Sequence, residues 1–181
     1  MKLLVRIILF LFLLITASCS KIENSNISEL DFIPLESVKI ININDLSVTK
    51  NILENNQLIS NLYPNSKVVY NNLNLLSNSF TKKGVLSLSP FSKNEIAYTF
   101  ISRVELSDSI FNNDDFNRTY QNFDIYSNKN INSTIYKTII GDFYISSDND
   151  IILENIIRDY KTNNKKINPD LLKISKAIDR D

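Results

Sequence analysis

Apolar and polar positions alternate with three different periods along this chain. Ile7 to Ile15 is an unbroken run of nine apolar residues behind Lys2 and Arg6. Ser20 to Ser28 is polar and aperiodic, which predicts a short tether. The body begins near Phe32-Ile33-Pro34, and the β-branched run Val38 to Ile43 predicts a buried strand. Asn44 and Asp45 then offer an N-cap and a first-turn acid for a helix. Leu46, Val48, Ile52 and Leu53 share one broad face of it. A short helix with Leu58, Ile59 and Leu62 stops before Pro64. A third helix over Val68 to Leu76 turns Val69, Leu73 and Leu76 inward.

After Gly84 the period falls to two. Val85 to Leu88 and Glu95 to Val104 read as strands, the second with Ile96, Tyr98 and Phe100 on one face, and Pro90 to Asn94 as their turn. Asn112 to Asn117 is polar and reads as a loop. Three further strands follow at Phe123 to Tyr126, Thr134 to Ile140 and Asp142 to Ile145, with Gly141 at a turn or bulge. Ser147-Asp148-Asn149-Asp150 resembles a capping box and opens a helix with the stripe Ile152, Leu153, Ile156, Ile157 and Tyr160. Pro169 starts a last helix with Leu171, Leu172, Ile174 and Ile178. Helices and strands come in blocks, so the expected fold is α+β, a mainly antiparallel sheet with helices packed on one face.

The apolar run is too short to span a bilayer, which needs about 20 residues. It suits a secretory h-region, roughly 7–15 residues behind a positive start. Thr16-Ala17-Ser18-Cys19 follows it, and Cys19 is the chain's one cysteine. These four residues resemble the lipobox of bacterial lipoproteins, with Thr16 where that family most often has Leu. The resemblance implies a diacylglycerol on the Cys19 sulfur and cleavage before Cys19. It divides the chain into a signal peptide (1–18), a lipidated tether (19–30) and one α+β domain (31–181). It also supplies a partner, the membrane, held through acyl chains on Cys19. Ser20, rather than Asp, follows the acylated residue, and in that family this points to the outer membrane.

Composition narrows the chemistry. Removing Lys2 and Arg6 leaves 18 basic against 20 acidic residues, a balance that argues against a nucleic-acid partner or a polybasic membrane-surface module. The chain has 26 Asn and 27 Ile but 2 Gly, the skew of AT-rich codons, so an Asn pair is not by itself a site. There is no His. That removes Ser-His-Asp triads, Cys-His pairs and Cys/His zinc sites. Two glycines cannot build a phosphate-binding loop. No cofactor is expected.

Several constellations remain as candidates. Ser47-Val48-Thr49-Lys50 has the Ser-x-x-Lys spacing of penicillin-recognising enzymes, without their partner motifs. Asp148, Asp150 and Glu154 offer oxygen ligands to calcium, or acids to a helix N-terminus. Asp108, Asp114, Asp115 and Asp124 form a second acidic group. Asn117-Arg118-Thr119 and Asn132-Ser133-Thr134 have the glycosylation pattern. Tyr63, Tyr70, Tyr98, Tyr120, Tyr126 and Tyr136 form a carbohydrate or peptide platform if exposed together, and otherwise fill strand faces.

Two stretches of the body resemble a loosely defined group of uncharacterised bacterial envelope lipoproteins. One is Phe32-Ile33-Pro34-Leu35-Glu36-Ser37 leading to Leu58-Ile59; the other is Gly141 to Ser147 leading into Ile152-Leu153-Glu154-Asn155-Ile156. Longer members of that group continue into further β-rich sequence, so a truncated relative is one reading of this chain. The leading expectation is a non-enzymatic, membrane-anchored lipoprotein with a binding or assembly role toward an envelope protein. The alternative is a small hydrolase using carboxylates, or Ser47 with Lys50.

Overall fold

The computed structural model describes residues 27–62, 65–104, 110–111, 114–130 and 133–164. A 3-10 turn, Glu29–Phe32, opens the body. Strand β1 (Lys39–Ile43) leads to three helices: α1 (Leu46–Asn55), α2 (Gln57–Leu62) and α3 (Ser66–Leu76). Six strands follow: β2 (Gly84–Ser92), β3 (Glu95–Arg103), β4 (Asp115–Tyr120), β5 (Phe123–Asn130), β6 (Ser133–Ile140) and β7 (Phe143–Ser147). Helix α4 (Asp150–Lys161) is the last described element.

The strands form one antiparallel sheet in the order β1-β2-β3-β7-β6-β5-β4. It is two meanders, β1–β3 and β4–β7, joined where β7 pairs with β3 from Thr99–Ser147 to Arg103–Phe143. The fold is thus α+β and antiparallel. Strand β4 begins inside the stretch Asn112 to Asn117 read above as a loop. It is an edge strand with most residues exposed, so it lacks the apolar alternation of a covered strand.

The helices do not share one face. Leu46 of α1 and Val69, Leu73 and Leu76 of α3 cluster with Leu86, Leu88, Phe100 and Tyr144. Ile152, Leu153, Ile156 and Ile157 of α4 cluster instead with Ile101, Ile125, Ile140 and Ile145, and Phe32 joins them. Phe100 and Ile101 are consecutive in β3, and Tyr144 and Ile145 in β7, so the clusters lie on opposite sides of the sheet. The one-face expectation fails because the central strands carry apolar side chains at both parities. All five residues of β7 are buried.

Local signals start the helices. Asp45 itself is the N-cap of α1, its carboxylate accepting from the Val48 amide at 3.0 Å. Asn149, not Ser147, caps α4, accepting from Ile152 N–H at 3.1 Å. The buried stripe of α3 contains the residues that the helical period selects, and that of α4 contains all but Tyr160, which is half-buried at the stripe's end. Ile27 packs against the second cluster, and Arg103 donates to its carbonyl at 2.9 Å, so packing begins ahead of Phe32.

Candidate functional site

The Ser47–Lys50 pair is not assembled. Ser47 Oγ donates to the Asp45 carboxylate at 2.7 Å, while Lys50 Nζ reaches Ser77 Oγ at 2.9 Å. A Ser/Lys nucleophile needs the amine within hydrogen-bond reach of its own hydroxyl. Partial burial lowers the Lys50 pKa, but its proton is directed at Ser77. Both residues serve the ends of helices: Ser47 the start of α1, and Lys50 the Ser77 that follows α3.

The acids at the start of α4 divide between two partners. Arg118, on β4, donates to Glu154 Oε1 through Nε at 2.9 Å and Nη2 at 2.7 Å, and to Asp150 Oδ2 at 3.2 Å. The hydrogen bond to Glu154 raises the Arg118 pKa further. Asp148 accepts from the Tyr98 amide at 2.8 Å, and burial pushes its carboxyl up to about 6. Thus the two carboxylates nearest each other on α4 already hold a cation, the guanidinium. Arg118 was invisible as a partner because it follows the polar stretch Asn112 to Asn117 in residues to which periodicity assigned no element.

The second acidic group is dispersed. Asp124 accepts from Thr119 Oγ1 at 2.7 Å on the surface, and Asp115 is exposed on β4. Asp108 lies outside the described residues. Of the three described acids, Asp114 is the one drawn into the fold. It meets Lys137 Nζ at 2.7 and 3.0 Å and Asn128 Nδ2 at 3.0 Å. The side chains of Asp114 and Lys137 are only 4% and 12% exposed. Lys137 projects from β6 toward the α3 face, opposite Ser146 of β7. Ser146 Oγ and Tyr144 Oη both donate to the Leu76 carbonyl at the end of α3, at 2.6 and 3.0 Å. Serine, tyrosine and lysine are therefore close together. Yet the lysine is ion-paired and both hydroxyl protons are directed at one carbonyl, so no free base faces a nucleophile. A lysine inside the β-branched strand Thr134–Ile140 was the signal that could have marked this cluster.

The tyrosines do not form one platform. Tyr98 packs with the α3-side cluster, whereas Tyr120 and Tyr136 pack with the α4-side cluster. Tyr70 is half-buried on α3, and Tyr63 lies outside the described residues. Tyr126 stacks on Phe111 at 4.1 Å and meets the exposed Phe116 edge-on at 6.1 Å. The Asn117 amide oxygen accepts from Arg118 Nη1 at 2.6 Å, and Asn132 lies outside the described residues. So does Cys19.

A shallow groove of about 150 Å³ lies between the 3-10 turn and α4. Phe32, Ile33, Ile152 and Ile156 give it apolar walls, and Asp31, Glu36, Asn155 and Asp159 a polar lining. The Asp31 carboxylate is bound to the Ser28 amide at 2.7 Å, as the cap of its own turn. Periodicity did not mark this groove, because its two walls are 120 residues apart in sequence.

Among the described residues no helix is long and apolar enough to cross a membrane. No protein family, no curated protein and no solved structure matches the chain.

Proposed function

We propose that this protein is a bacterial envelope lipoprotein, anchored through acyl chains on Cys19, whose body has a binding or assembly role rather than an enzymatic one. The observation that carries the reading is the N-terminal layout: Lys2 and Arg6, nine apolar residues, then Thr16-Ala17-Ser18-Cys19. The engagement of Ser47 with Asp45, of Lys50 with Ser77 and of Lys137 with Asp114 supports the non-enzymatic part. Ser20 after the acylated residue supports an outer-membrane address.

Metabolic labelling with a palmitate analogue, followed by membrane fractionation, tests the anchor. Wild type takes up label and sediments with membranes. Cys19→Ala takes up none, and its signal-cleaved form is released, since each buried CH₂ of an acyl chain contributes about 0.8 kcal/mol of membrane affinity. Unlabelled wild type, or a cleaved variant that stays on the membrane, removes the reading.

A further inference from the structure

The lipoprotein reading leaves open which end of the body meets the bilayer, and the fold carries an answer that rests on that reading. Eight peptide steps separate Cys19 from Ile27, at most about 29 Å of fully extended chain. Ile27 is held at one end of the sheet, where Arg103, the last residue of β3, donates to its carbonyl at 2.9 Å. The neighbouring Ser102 Oγ donates to the Lys83 carbonyl at 2.6 Å. The loop before β2 therefore reaches the sheet end at which the tether arrives. Its sequence is Phe80-Thr81-Lys82-Lys83. Phe80 is 48% exposed, and both lysines are exposed, while Thr81, between Phe80 and Lys82, is buried and donates to the Asn78 carbonyl at 2.6 Å.

An exposed aromatic ring beside two outward lysines suits a bilayer interface. The ring enters the headgroup layer, and the ammonium groups sit over phosphates. Acids lie at the same end. Asp45 is committed to Ser47 and the Val48 amide, and Asp142 is exposed in the turn between β6 and β7. The contact is therefore a local one made by a single loop. The other sheet end is the β2–β3 hairpin. Phe91 there is 44% exposed, and seven strand steps carry the chain from Gly84 to it, about 23 Å away.

We propose that the Phe80–Lys83 loop rests on the anionic lipid surface that holds the acyl anchor, and that the β2–β3 hairpin points away from it. The tether supplies the high local concentration that lets so small a contact form.

The chain contains no tryptophan, so one introduced indole reports its own surroundings. Phe80→Trp and Phe91→Trp are each made in the full-length protein, purified as the acylated form and reconstituted into phosphatidylglycerol–phosphatidylethanolamine vesicles. Some vesicles carry acyl chains brominated near the headgroup. The Phe80→Trp emission shifts to the blue and is quenched by the brominated lipid, and the Phe91→Trp emission is not. Lys82→Ala with Lys83→Ala lowers the ratio of docked to free body about thirtyfold, from about 1 kcal/mol per lysine near an anionic surface. Replacing phosphatidylglycerol by phosphatidylcholine has the same direction of effect. An unquenched Phe80→Trp, equal quenching at both positions, or indifference to the lysines and to lipid charge overturns the inference. Mass analysis of the N-terminal peptide separates that failure from failure of the anchor. If Cys19 carries no lipid, the lipoprotein reading falls and this orientation with it. If it carries lipid and Phe80→Trp stays solvent-exposed, only the orientation falls.

Discussion

A methyl group added at Gly84 would fall on the Ile101 carbonyl oxygen and lie 2.9 Å from the Phe100 ring. Neither can yield cheaply. The carbonyl belongs to β3, paired on both sides, and Phe100 is fully buried. Gly84 is thus needed for space, where β2 begins against β3. At Gly141 the reason differs: φ is +58° and nothing lies within 4 Å of an added methyl. Overpacking a core costs about 1–3 kcal/mol, and a left-handed conformation costs a non-glycine residue about 1–2 kcal/mol. Gly84→Ala should therefore lose about 2–3 kcal/mol in urea denaturation, and Gly141→Ala about 1 kcal/mol. If Gly84→Ala is neutral, the close approach is not a constraint. The turn at Gly141 could be read from sequence, because glycine there separates two alternating runs. The close approach at Gly84 could not, since it depends on which strand lies alongside.

At the scale of elements, what could be read follows from how local the cause is. Asp45 and Asn149 act within three residues of the helices they cap, and the helices begin close to where capping and period place them. Strand β4 depends on distant partners. It is held by β5 on one side, and Arg118 ties it to α4. Its composition stays polar because most of its side chains meet water. The division of helices between faces was present in β3, where Ala97, Thr99 and Ile101 alternate with Tyr98 and Phe100, but one inward face suffices to predict a strand. Asp148 joins β7, α4 and β3 through its bond to the Tyr98 amide. Burial raises its carboxyl to about 6 from 3.8. The folded state then binds more protons than the unfolded state between those values, so stability falls as pH rises through that window. Two units correspond to about 3 kcal/mol, and partial exposure discounts this to about 1–2 kcal/mol. Asp148→Asn keeps an acceptor for the Tyr98 amide. Its stability relative to wild type should be near zero at pH 4 and rise to about 1–2 kcal/mol above pH 6.5. A difference independent of pH would mean that the carboxyl titrates at its ordinary value.

Across the whole molecule, the two meanders must be brought into register by chain segments that are far apart. Between β3 and β4 the chain passes from the third to the seventh position in the sheet. Ile110 joins the α3-side cluster, and Phe111 packs against it, so the described residues of this crossing lie on that face. Its far end is fixed by Asp114 on Lys137, with both side chains largely buried. A buried ion pair contributes little net stability against apolar replacements, but losing one partner strands the other and costs about 3–5 kcal/mol. Asp114→Leu leaves the Lys137 ammonium without its carboxylate. Lys137→Met leaves the Asp114 carboxylate with Asn128 as its remaining side-chain donor among the described residues. Each single variant should therefore lose about 3–5 kcal/mol. The double variant should lose far less than the sum, because neither charge is then stranded. Urea denaturation of the four proteins closes the cycle. The pair is also a positional link, joining Asp114 at the end of the crossing to β6. In the double variant that link is gone even if stability returns. The Phe111–Tyr126 stack at 4.1 Å should then loosen, seen as a smaller near-ultraviolet circular dichroism signal at unchanged secondary structure. If the singles and the double are additive, or the aromatic signal is unchanged in the double, the crossing is held by apolar contacts alone and the pair is incidental to the register.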